Sequence, residues 1–136
     1  MGDSWRLPIG LILASLVILA SCAGPQTLYR VPAGAGEKTV QMTATNFDFK
    51  PEEIRARQGE VLLLKVKSRS GTEHNLTVLD PDGRQVIDVD LPPEITTEVR
   101  LPLTEAGTYR FHCNKFMHAT LGMRGRIEAE LPAGRQ

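Results

Sequence analysis

What this chain lacks first is an excess of charge of either sign. Its sixteen basic and sixteen acidic residues cancel, and no basic stripe stands out, which argues against a nucleic-acid binder, whose affinity rests on cations facing phosphates. It also lacks length, since 136 residues suffice for one domain with a real core and not for two ordinary ones. No stretch carries sustained helical periodicity, and there is no internal repeat. Cysteine is scarce as well, at two residues, Cys22 and Cys113. The remainder, 41% hydrophobic and 24% charged, is the composition of a globular domain.

One apolar run is present, from Leu7 to Ala20 behind Arg6. It is short for a bilayer span, which needs roughly 20 residues, and it ends in the small residues Ala20 and Ser21 before Cys22, so it reads as an export signal. Leu19-Ala20-Ser21-Cys22 resembles the lipobox of bacterial lipoproteins. That resemblance implies removal of residues 1–21, lipidation of Cys22, and an extracytoplasmic domain anchored to a membrane on its periplasmic or outer side. Residues 22–38, rich in Ala, Gly and Pro, read as a flexible tether. A coil of about 15 residues has a root-mean-square reach of roughly 20 Å. With Cys22 committed to lipid, Cys113 has no disulfide partner, and an odd cysteine in an exported chain points to a reactive or ligating thiol.

Beyond the tether the pattern is that of strands. Apolar residues alternate with polar ones through Val40, Met42 and Ala44, then Leu62, Leu64 and Val66, then Leu76 and Val78. The same alternation returns at Val99, Leu101 and Leu103, at Tyr109, Phe111 and Cys113, and at Ile127, Ala129 and Leu131. Asp80-Pro81-Asp82-Gly83, Leu91-Pro92-Pro93-Glu94 and Glu105-Ala106-Gly107 supply turns between them. Seven or eight short strands with regular turns predict an all-β sandwich or barrel over residues 39–132, with 133–136 as a tail. Parity places Cys113 on the inward face with Tyr109 and Phe111, and His112 on the outward face as a surface histidine. Met123, in phase with Gly125 and Ile127, is also expected inside, and Met42 belongs to the core.

The chemistry concentrates near the C-terminus, where Cys113, His118 and Met123 stand at even spacing in one loop while His74 opens an earlier strand. A thiolate and a thioether are soft donors that favour Cu(I), and imidazole accepts both oxidation states. Two histidines, a cysteine and a weak methionine form the donor pattern of electron-transfer copper. Four ligands leave no open position of the kind a hydrolytic metal centre keeps for water, so an enzyme is not expected. No second cysteine is present in the loop, which removes a dinuclear copper reading.

At Tyr109-x-Phe111-x-Cys113, the spacing Cys-x4-His-x4-Met, and Gly122-Met123-x-Gly125-x-Ile127, the chain resembles the copper-binding end of cupredoxins, the small blue copper proteins. Asn46-Phe47, Pro51 to Ile54, Gly59-Glu60-Val61 and His74-Asn75-Leu76-Thr77-Val78 resemble the front half of the same family, so the likeness runs from Lys38 to Leu131. It implies a Greek-key β-sandwich of seven to eight strands, with His74, Cys113 and His118 as equatorial ligands and Met123 as the axial one, around one ion cycling between Cu(I) and Cu(II). It further implies that Asn75 bridges the ligand loops by hydrogen bonds, and that Phe116, Met117 and Leu121 form an apolar rim for partner docking. Lys115 and Arg124 flank that rim as surface cations. Met117 stands where many members have proline before the second histidine. The function so implied is that of a membrane-tethered, monomeric carrier of single electrons between redox proteins such as cytochromes or copper oxidases and reductases. The rival is a copper chaperone or metal-uptake module using the same residues.

Overall fold

The computed structural model describes residues 36–115 and 120–134. The expected signal peptide over 1–21, Cys22, nearly all of the tether, and Phe116, Met117 and His118 lie outside the described residues. Among the described residues there is no helix, and nine strands follow one another: β1 (Glu37–Thr45), β2 (Asp48–Lys50), β3 (Glu53–Arg57), β4 (Val61–Ser68), β5 (His74–Leu79), β6 (Gln85–Leu91), β7 (Thr96–Pro102), β8 (Gly107–His112) and β9 (Arg124–Glu130). β1 begins ahead of the expected domain boundary at residue 39. β2 has three residues, too few for alternation to reveal, which is one reason the strands outnumber the seven or eight that alternation suggests.

These strands form a Greek-key β-sandwich. One sheet has the order β2-β1-β4-β7 and the other β3-β9-β8-β5-β6. Two pairings are parallel, β1 with β4 and β3 with β9, and the rest are antiparallel. Inward side chains of both sheets build the core, with Met42, Leu62, Leu64, Val66, Leu76 and Ile127 all buried. Each such side chain taken from water is worth about 1.5–3 kcal/mol. Phe49 of β2 and Phe111 of β8 meet edge to face at 5.5 Å between centroids and 79° between planes, joining one sheet to the other. The Tyr109 hydroxyl donates to the Glu105 carbonyl at 3.3 Å and accepts from the Glu105 N–H at 3.1 Å, fastening the turn into β8.

Leu131 departs from its expected place in the last strand. β9 ends at Glu130, whose pairing with Arg57 is the last of the β3–β9 ladder. Leu131 is 61% exposed, because the strand that would hold it against the core has already lost its partner.

Candidate metal centre

Antiparallel pairing of β5 with β8, and of β8 with β9, brings the start of β5, the end of β8 and the start of β9 to one end of the same sheet. His74 opens β5, Cys113 follows β8 directly, and Met123 precedes β9. The Cys113 N–H donates to the Met123 carbonyl at 3.1 Å, which extends the β8–β9 ladder by one step and fixes these two residues beside each other. Register gives their direction: Val78 pairs with Phe111 on the inward face, and His74 is in phase with Val78 while Cys113 is in phase with Phe111. His74, Cys113 and Met123 each have no solvent exposure. His112, of opposite parity, pairs with Thr77 and Arg124 and is half-buried.

Asn75 links the two segments. Its Oδ1 accepts from the Asn114 N–H at 2.8 Å, tying the residue after His74 to the residue after Cys113. Its Nδ2 donates to Asp88 Oδ1 at 2.7 Å and to Thr77 Oγ1 at 3.1 Å, and Thr77 Oγ1 donates to Asp88 Oδ1 at 3.2 Å. Asn75 and Thr77 are almost fully buried, and a buried amide left unpaired costs about 1–3 kcal/mol. Asp88 is an exposed residue of β6, flanked by half-buried Ile87 and Val89. Nothing in its sequence surroundings marks it out, and only the pairing of Thr77 with Asp88 reveals it.

On the other side, His74 Nε2 lies 2.6 Å from Ser70 Oγ, which also donates to the Thr72 carbonyl at 2.9 Å. Ser70 is 7% exposed. It is a second residue that the sequence does not flag.

The loop after Cys113 is fastened once more by Lys115, whose Nζ lies 3.1 Å from Asp90 Oδ1 and 3.7 Å from Glu73 Oε2. Its bond to Asp90 raises the Lys115 pKa, burial opposes this, and the charges of Asp90 and Glu73 add to the rise. The cation expected to flank a docking rim is thus answered within the domain. Arg124 is exposed at the start of β9. Leu121 is 51% exposed.

The donors present fit a copper ion chemically. A buried imidazole, thiol and thioether at one end of a sandwich offer one borderline and two soft donors away from water, the combination that selects copper over hard cations. No three of His, Cys, Asp and Glu cluster among the described residues. Met123 is not of those types, and His118 lies outside the described residues.

Residues 11–127 match the cupredoxin-like domain family. No curated protein matches the chain. Among solved structures, dithionite-reduced auracyanin of the photosynthetic bacterium Roseiflexus castenholzii is similar with a TM-score of 0.61 at 18% identity, over 71% of this chain and 98% of that one. Auracyanin A, a blue copper protein of Chloroflexus aurantiacus, gives a TM-score of 0.62 at 18% identity, over 70% of this chain and 100% of its own. Auracyanin B gives 0.60 at 17% identity, over 70% of this chain and 89% of that one. At such identities the likeness establishes a common fold.

Proposed function

The chain belongs to the cupredoxin-like family, and on this premise we propose that it is an extracytoplasmic, membrane-tethered copper protein that carries single electrons between redox proteins. The observation that carries the reading is the complete burial of His74, Cys113 and Met123 where three strand ends meet. His74, Cys113, His118 and Met123 would hold the ion, and the ion when bound would supply a one-electron couple.

The chain's own residues supply rigidity. Cys113 and Met123 are joined through their backbones, and Asn75 joins the strand of His74 to the loop of Cys113. A donor set fixed in this way would change little when an electron arrives or leaves, which would keep reorganisation small. Leu121, with Phe116 and Met117, would form the apolar face that meets a partner. Lipidation of Cys22 would anchor the domain through the segment before β1. The blue copper character of auracyanin A supports the same reading.

The test is spectroscopic. The whole chain, purified in mild detergent, is given one equivalent of Cu(II), and its visible and electron paramagnetic resonance spectra are recorded before and after ascorbate. The expected result is an intense visible band with narrow copper hyperfine splitting, bleached by reductant and restored by oxidant. A colourless or ordinary Cu(II) spectrum overturns the electron-carrier reading in favour of metal delivery.

A further inference from the structure

Which nitrogen of His74 carries the proton follows from a hydroxyl four residues earlier. Ser70 has one hydroxyl hydrogen, and Ser70 Oγ lies 2.9 Å from the carbonyl oxygen of Thr72. Thr72 Oγ1 lies 3.3 Å from the same Ser70 oxygen, but its own hydrogen goes to Asn46 Oδ1, so both Thr72 oxygens face Ser70 as acceptors and the hydrogen of Ser70 points to Thr72. The closest contact of Ser70 Oγ, 2.6 Å from His74 Nε2, must then be one in which the ring donates. The opposite arrangement, with Ser70 donating to Nε2, would set two lone-pair oxygens against each other at 2.9 Å in a site where Ser70 is 7% exposed and His74 is not exposed at all. Thr72 is itself anchored, with its Oγ1 donating to Asn46 Oδ1 at 3.4 Å in the turn between β1 and β2. The relay therefore starts on one sheet and ends at the imidazole on the other.

We propose that Ser70 is a positioning residue for the metal centre: oriented by the Thr72 carbonyl, its hydroxyl oxygen accepts from Nε2–H of neutral His74 and so fixes the tautomer and the orientation of that ring. The inference rests on the reading of His74 as a ligand. A histidine that binds metal through one nitrogen almost always donates the other N–H to a fixed acceptor, which sets both ring orientation and ligand basicity. The backbone often supplies that acceptor. Here a side chain does, so the control is open to substitution.

The experiment separates this inference from the copper reading. Long-range nitrogen–proton correlation spectra of histidine-labelled whole chain, recorded without metal at a pH where the imidazoles are neutral, report the tautomer of His74 directly. The wild-type chain is expected to show Nε2–H alone, Ser70→Ala a mixture of tautomers, and Ser70→Thr a return to Nε2–H. An Nδ1–H form in the wild-type chain, or an Nε2–H form unchanged in Ser70→Ala, overturns the proposal whatever the chain does with copper.

With copper added, Ser70→Ala is expected to bind Cu(II) about 10–100-fold more weakly, as loss of such hydrogen-bond partners commonly does, and to show an altered copper hyperfine splitting that Ser70→Thr restores. Unchanged affinity and spectrum in Ser70→Ala also overturn it. A wild-type chain that shows the predicted tautomer yet takes up no copper would instead remove the function proposed above.

Discussion

Asp88 decides which way the side-chain amide of Asn75 points. A carboxylate only accepts, so the Nδ2 of Asn75 turns toward Asp88 at 2.7 Å, and Oδ1 is thereby aimed at the Asn114 N–H at 2.8 Å. Asn75→Leu removes three hydrogen bonds at a buried position and is expected to cost about 1–3 kcal/mol. Asp88→Ala, at an exposed position, should cost less, about 0.5–1.5 kcal/mol. Urea unfolding of the two variants and their combination checks the dependence. Once Asn75 is gone, removing Asp88 should cost only what the Thr77 hydroxyl then loses, so the combined loss is expected to fall short of the sum of the two single losses. Fully additive losses would show that Asp88 has no such role.

Gly125 is the place where β9 tolerates no side chain. A Cβ there would stand 2.3 Å from Phe111 Cζ and 2.4 Å from the Glu52 carbonyl oxygen. The ring has some freedom to move, but the carbonyl belongs to backbone fixed by its bond from the Arg126 N–H at 2.8 Å. Gly125→Ala is therefore expected to destabilise at or above the top of the roughly 1–3 kcal/mol range for overpacking. Relieving the ring with Phe111→Leu in the same chain should recover only part of the loss. Thermal unfolding of the single and double variants provides the measurement.

The two sulfur residues should separate in their effects on the copper protein. Cys113→Ser is expected to abolish the intense visible band while circular dichroism still shows a folded β-domain. Met123→Leu, close in volume and without a donor sulfur, should keep the band and mainly shift the reduction potential. Colour retained in Cys113→Ser would sink the ligand assignment.

Acid should loosen the turn between β5 and β6. Burial favours the neutral form of Asp80, but the Arg84 guanidinium at 2.8 Å and the Arg84 N–H at 2.8 Å outweigh it and hold the Asp80 pKa below its ordinary value. A carboxylate depressed on folding adds stability above its unfolded pKa and loses it as pH falls through the folded value. The contribution should thus be complete above about pH 5 and fade below about pH 4. Asp80→Asn should flatten that part of a plot of unfolding midpoint against pH. An unaltered profile would contradict the assignment.

The sandwich was legible in the sequence because its central strands alternate cleanly. Leu62, Leu64 and Val66, like Leu76 and Val78, face a core on one side, and a period of two records that directly. Parity also sufficed to send Cys113 and Met123 inward. Leu131 was misread because periodicity does not know where a neighbouring strand ends. Asp88 and Ser70 were invisible for a different reason. Each matters through one hydrogen bond to a residue on another turn or strand, and such contacts leave no periodic trace.

β9, last of the described strands, is not last in its sheet. It lies between β3 and β8, parallel to one and antiparallel to the other. A chain cut before Arg124 would therefore leave β3 without the strand it pairs with and bare the edge of β8 that β9 covers. Unpaired strand edges are templates for pairing with other chains. Loss of β9 is accordingly expected to produce aggregation rather than a merely weakened monomer, since the bared edge of β8 accepts a strand from another chain.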